Sequence, residues 1–322
     1  MKKLIMLTAA ISLAGTMSFA RDNVQVTGSS TVLPYATIVA EAFGENFGFK
    51  TPVVEGGGSG AGRKRLCEGT GPNTVDIANS SSKMKQAEWE ACEAAIGKVT
   101  EIRIGYDGIV FASNIGALNI KDLTPTQLYT ALHADSTATL WSDVDPSLPA
   151  IEILAYIPGT KHGTREVFDV KVMEAGCKAV KGVEKLSKEE IGECVKIRTD
   201  GRSVDVDGDY TETLARLDAN KTALGVFGLS FYQNNMSKLE VTTVSGVFPT
   251  VEAIANGEYP ISRPLYFYVK NAHLDVIPGL REYIEFFVSD EMVGPNSPLA
   301  EYGLVPDPEL AKTQEMVSKL SN

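Results

Sequence analysis

The apolar and polar positions repeat one unit along the chain: a short apolar run, a turn of glycine and hydroxyl residues, then a stretch with helical period. Residues 23–27 read as a strand, and Gly28-Ser29-Ser30-Thr31 as the turn that follows. Pro34 sits at a helix start, where its missing N–H has no intrahelical partner to lose. Tyr35, Ile38, Val39, Ala42 and Phe43 then share one helical face. Residues 51–55 form the next strand, followed by a glycine loop and a helix through Arg63, Leu66 and Cys67 that closes at Gly69. A third unit has a strand at 75–78, the turn Asn79-Ser80-Ser81-Ser82, and a helix through Met84, Trp89 and Cys92.

Further on, residues 109–112 predict a central apolar strand. Thr124, Pro125 and Gln127 have the spacing of a capping box at a helix start. A strand at 151–157 leads to a helix headed by Thr164 and stopping near Gly176. Strands at 223–227 and 265–269 follow, with helices at 278–288 and 308–320. This alternation indicates α/β domains with mainly parallel sheets. The 322 residues suffice for two domains. No flexible linker interrupts them, so short crossings are expected. Two crossings make the first domain discontinuous.

The first twenty residues stand apart. Lys2 and Lys3 precede a mostly apolar stretch from Leu4, and Ser18-Phe19-Ala20 has a small-x-small cleavage pattern. This is the pattern of a secretory signal peptide, with the mature chain starting near Arg21 and exported to an oxidising compartment. Removing Lys2 and Lys3 from the 30 basic residues leaves 28 against 41 acidic ones, a net charge of −13. That balance argues against a nucleic-acid partner. Export also favours disulfides among Cys67, Cys92, Cys177 and Cys194. Four cysteines allow three pairings. The two short loops, Cys67–Cys92 and Cys177–Cys194, are the favoured ones.

The glycine loop, VEGGGSGAGRK at 54–64, invites three enzymatic readings. Gly57 and Gly62 have Walker spacing, but Arg63-Lys64 follows where Lys and a hydroxyl residue are required. A dinucleotide motif matches only weakly in so glycine-rich a run. A nucleophile elbow at Ser59 lacks the second glycine, and only His133, His162 and His273 exist as bases. The loop has company, however. Ser29-Ser30-Thr31, Ser59, Ser80-Ser81-Ser82 and Thr164 all lie between a strand and a helix. One such hydroxyl is most simply a helix cap. Several at the strand C-termini of open sheets face one crevice, where helix N-termini present free N–H donors. That describes a site for a small tetrahedral oxyanion. Net negative charge does not forbid it, because distant surface charges are screened over about 8 Å.

The ordered set GSSTVLP (28–34), EGGGSGAG (55–62), DIANSSSKMK (76–85), DLTPTQLYTAL (122–132) and HGTREVF (162–168) resembles the periplasmic phosphate-binding proteins, the substrate-binding subunits of phosphate ABC transporters. ALGVFGLSFYQNN (223–235) and YPISRPLYFYV (259–269) are similar to later segments of that family. The resemblance implies a two-lobed α/β periplasmic-binding-protein fold of type II: two mainly parallel sheets joined by crossing strands. It implies lobe 1 from 21–112 and 245–322, and lobe 2 from 113–244. Ser30, Thr31, Val32 and Ser59 are then expected to hold phosphate from one lobe, with Ser81 and Ser82 nearby. Gly163, Thr164 and Arg165 are expected from the other, with His162 at the rim. Relatives often place a charged residue near Ser82, which this chain lacks; Asp107 and Asp209 are candidates to replace it. The resemblance further implies no catalysis, cofactor or metal, a monomer, inorganic phosphate as ligand and an ABC permease as partner. The alternatives are a receptor for sulfate, molybdate or a phosphonate, a secreted phosphatase or esterase using Ser59, and an envelope protein that has kept the fold.

Overall fold

The computed structural model describes residues 21–160, 163–208 and 210–320; residues 1–20, His162 and Asp209 lie outside them. Among the described residues eleven strands run in chain order: β1 (Gln25–Gly28), β2 (Val53–Gly56), β3 (Ile77–Ser80), β4 (Val99–Asn114), β5 (Asp122–Leu123), β6 (Ala155–Pro158), β7 (Ser203–Val206), β8 (Leu224–Gly228), β9 (Leu239–Val244), β10 (Ser262–Lys270) and β11 (Leu304–Val305). They form one curled sheet with the order β2-β1-β3-β10-β4-β8-β6-β7.

The outer strands pair in parallel: β1 with β2 and β3, and β6 with β7 and β8. The crossing strands are antiparallel. The first half of β4 pairs with β10 and β11, and its second half with β8 and β9. The sheet is therefore mixed where the crossings lie, rather than mainly parallel throughout. β4 is longer than the expected strand at 109–112, because it serves both halves of the molecule. From Gly105 to Asn114 every one of its residues is buried.

Two large cores flank the crossing. One gathers the helix Leu33–Asn46, β10 and the helix Leu280–Phe287 around Phe43, Phe267 and Tyr283. The other surrounds Phe111, Trp141, Phe168 and Phe227, and takes in Ala253, Ile254, Tyr259 and Ile261. The capping box at Thr124 forms as expected. Gln127 N–H donates to Thr124 Oγ1, and Thr124 N–H donates to Gln127 Oε1.

The helix headed by the 163–164 turn does not stop at Gly176. It runs as Gly163–Phe168, a π-helical stretch Asp169–Glu174, and Ala175–Lys181, and it ends at Gly182 in the left-handed conformation. Gly176 is an interior packing residue: a Cβ there would lie 2.4 Å from Pro125 O and from Tyr129 Cβ. Both favoured disulfides are present, Cys67–Cys92 and Cys177–Cys194. Bridges over 25 and 17 residues restrict the unfolded chain by about 3 kcal/mol each in the chain-entropy account.

Candidate functional site

The turn after β1 and the glycine loop are built against each other. Gly28 has φ +136°, and a Cβ on it would lie 2.2 Å from Asn79 O. Gly62 has the same constraint against Gly28, with 2.4 Å to its Cα. Ser29 N–H donates to Asn79 O, and Gly58 N–H donates to Gly28 O. The glycines let three strand ends and the helix Ser59–Leu66 converge closely. Ser29 caps its own turn, with its Oγ accepting from Thr31 N–H at 3.2 Å and Val32 N–H at 3.4 Å. Ser30 is exposed, while Thr31 and Val32 are fully buried.

Ser59 meets the serine turn. Its Oγ lies 3.2 Å from Ser81 Oγ and accepts from Ser81 N–H at 3.1 Å. The charged residue nearest the serine turn is Arg63, one helical turn beyond Ser59. Arg63 Nη1 donates to Ser80 Oγ at 2.6 Å and reaches Ser82 Oγ at 3.2 Å, while its Nε holds Glu88 at 2.8 Å. Arg63 is buried against these serines.

Across the cleft, Thr164 is buried beside the Tyr210 hydroxyl. Arg165 is tied to its own lobe. Its Nε pairs with Asp169 at 2.8 Å, and its Nη1 with Asp205 at 3.0 Å and Pro158 O at 3.1 Å. His162 and Asp209 lie outside the described residues.

Two residues given no role in the sequence reading dominate the middle of the cleft. Glu166, in the first helical turn after Gly163, reaches over and accepts from Thr31 Oγ1. Arg263 of β10 donates from Nη2 to the same Thr31 hydroxyl at 2.6 Å, and its Nη1 lies 3.4 Å from Glu166 Oε1. The Arg263 Nε is buried without an acceptor among the described residues. The only sequence signal for either residue was its place in a segment resembling the family.

Asp107 stands opposite Arg263 in the β4–β10 register. It is fully buried, and no described residue donates to either carboxylate oxygen. Burial pushes its carboxyl up to about 6; Arg263 works against that shift and Glu166 adds to it. Tyr35 is buried close enough to feel the same charge, and its phenol is raised well above the ordinary range by burial first and Asp107 second. A buried carboxylate facing an arginine with an unused N–H can accept a proton-bearing oxygen while the guanidinium neutralises the remaining charge.

Among the described residues, no cluster of His, Cys, Asp or Glu has the arrangement of a metal site, and no helix is long and apolar enough to cross a membrane.

Two α/β lobes on shared crossing strands, with polar side chains of both meeting between them, define the periplasmic-binding class of protein. The family model described as a PBP superfamily domain matches residues 15–291, and the chain belongs to that superfamily. The phosphate-binding protein PstS of Staphylococcus haemolyticus is 28% identical over 294 residues, covering 90% of this chain and 82% of that protein. Protein SphX of Synechocystis sp. is 28% identical over 306 residues, covering 92% and 82%. The crystal structure of a possible phosphate binding protein from Planctomyces limnophilus superposes with a TM-score of 0.72 at 26% identity, covering 92% of this chain and 96% of that one.

Proposed function

We propose that the chain is an exported receptor that binds inorganic phosphate between its lobes and delivers it to an ABC permease. The relative PstS is a phosphate-binding protein by name, the Planctomyces limnophilus protein is described as a possible one, and the fold is that of a binding receptor. The observation that carries the reading is Asp107, a buried carboxylate whose two oxygens have no donor among the described residues, set beside Arg263. Phosphate near neutral pH keeps at least one proton, and sulfate keeps none. Asp107 accepts that proton's hydrogen bond and repels an unprotonated oxygen in the same place.

In this reading the anion rests on Arg263 and Thr31. Donors from Ser30, Val32, Ser59, Ser81 and Ser82 lie on one side, and donors from His162, Gly163, Thr164 and Arg165 on the other. Glu166 is the anion on Thr31 and Arg263 in the present conformation, so an entering phosphate competes with it. We keep the lobe division at 21–112 with 245–322, and 113–244, with the helix Val251–Ala255 leaning on the second core. The leader at 1–20 directs export, and the protein acts as a monomer without covalent chemistry. The ring nitrogens of His133 contact Glu193 O and the Asp135 N–H, and those of His273 contact Asp76 and Thr70 O. Neither is poised as a base for Ser59.

The test is calorimetry on ligand-stripped protein and its Asp107→Asn variant, titrated with phosphate and with sulfate. The parent should bind phosphate and reject sulfate. The variant should bind phosphate more weakly and gain measurable sulfate binding, since an amide can donate where the carboxylate cannot. Unchanged phosphate affinity together with unchanged sulfate rejection would make Asp107 a structural residue.

A further inference from the structure

Beside the cleft lies a second cavity of about 470 Å³, open to solvent and bordered by the π-helical stretch, the 254–260 segment and β10. A molecule of liquid water takes about 30 Å³, so this space exceeds what one tetrahedral ion needs. Three cations line it: Arg103, Lys171 and Arg263. Arg103 is neutralised by Asp307 and Glu309. Lys171 is not. Among the described residues no carboxylate lies within ion-pair distance of its ammonium, although the side chain is half-buried. Burial, and then the charge of Arg263, pull its pKa below the usual lysine range.

Lys171 thus stands unpaired among the described residues, in partly desolvated space that it shares with Arg263, which is itself held 3.4 Å from Glu166, in a chain whose formal net charge is −11. Like charges so placed raise the energy of the site, and an anion between them lowers it. Arg263 also belongs to the cleft, through its bond to Thr31. Asn256 adds a neutral donor: its Oδ1 takes the Glu258 N–H, which leaves the amide NH2 group for a ligand. The rings of Tyr106, Tyr259 and Tyr266 supply part of the remaining wall.

We propose that this cavity is a second anion subsite continuous with the cleft through Arg263, and that it admits a condensed phosphate whose terminal phosphoryl occupies the cleft and whose second phosphoryl rests on Lys171. The proposal rests on the phosphate reading above and extends its ligand class from orthophosphate to pyrophosphate.

The experiment titrates ligand-stripped protein, and the Lys171→Met and Lys171→Arg variants, with orthophosphate and with pyrophosphate in a calorimeter. Melting temperatures confirm that each variant is folded. The parent should bind pyrophosphate, and bound pyrophosphate should exclude orthophosphate. Lys171→Met should lose pyrophosphate affinity tenfold or more and keep orthophosphate affinity within twofold, while Lys171→Arg restores pyrophosphate. Rejection of pyrophosphate by a parent that binds orthophosphate overturns this inference alone. So does equal pyrophosphate affinity in parent and Lys171→Met, or simultaneous binding of both anions. Failure of the parent to bind orthophosphate strikes instead at the proposed function.

Discussion

Replacing Asp107 by asparagine should stabilise the ligand-free protein, in a way that depends on pH. The carboxyl is fully buried and raised from 3.8 to about 6. A tenfold change in proton affinity corresponds to about 1.4 kcal/mol, so a rise of this size opposes folding by roughly 3 kcal/mol once the group is ionised. The direction follows from the raised value. The folded state holds the proton more tightly than the unfolded chain, so the contribution to stability is present below about pH 4 and is lost as pH rises through about 6. Asparagine is neutral throughout. The variant should therefore exceed the parent by roughly 3 kcal/mol at about pH 8, and the gap should shrink towards zero near pH 4. At roughly 2–4 °C per kcal/mol for a chain of this size, the alkaline difference amounts to roughly 6–12 °C in Tm. Denaturant and thermal unfolding of phosphate-stripped protein across that pH range would measure it. Saturating phosphate should narrow or reverse the order, because ligand at a thousand times Kd adds about 4 kcal/mol to the form that binds it better. A gap that stays constant with pH, or a parent more stable at about pH 8, refutes the reasoning.

Arg263→Gln should weaken phosphate binding by roughly 1.5–3 kcal/mol, the worth of a hydrogen bond to a charged group, measured by calorimetry at fixed salt. Arg165→Gln should cost less affinity than Arg263→Gln and act mainly on stability, lowering the unfolding free energy by roughly 1–2 kcal/mol after allowance for the exposure of Asp205, since Arg165 already holds Asp169 and Asp205. Equal affinity losses in the two variants would mean that the anion does not rest on Arg263. Glu166→Gln should raise phosphate affinity a few-fold, because it removes a carboxylate that competes for Thr31 and Arg263; a weaker complex would make Glu166 an acceptor for the phosphate proton.

The strand–turn–helix units were legible because their punctuation is local. Pro34, the Thr124 capping box and the hydroxyl turns each act within a few residues. The disulfides were legible because short loops close readily. What could not be read depended on contacts distant in sequence. Nothing near residues 99–108 announces that β4 runs through both halves of the molecule. Gly176 looks like a helix stop until Tyr129 packs against it. Arg263 and Glu166 are separated by 97 positions, and Arg263 and Thr31 by 232, so no periodicity joins them. Arg63 was passed over for a related reason. Its helix was visible, but the burial of its guanidinium against Ser80 and Ser82 follows only from the close approach that Gly28 and Gly62 permit.

The most direct test of the account is a calorimetric titration of the mature protein with orthophosphate, after unfolding, dialysis and refolding to strip any bound ion. The cleft should take one phosphate per chain with a Kd of micromolar or tighter, equivalent to about 8 kcal/mol or more. A protein shown to be folded that gives neither heat nor a thermal shift at millimolar phosphate would contradict it.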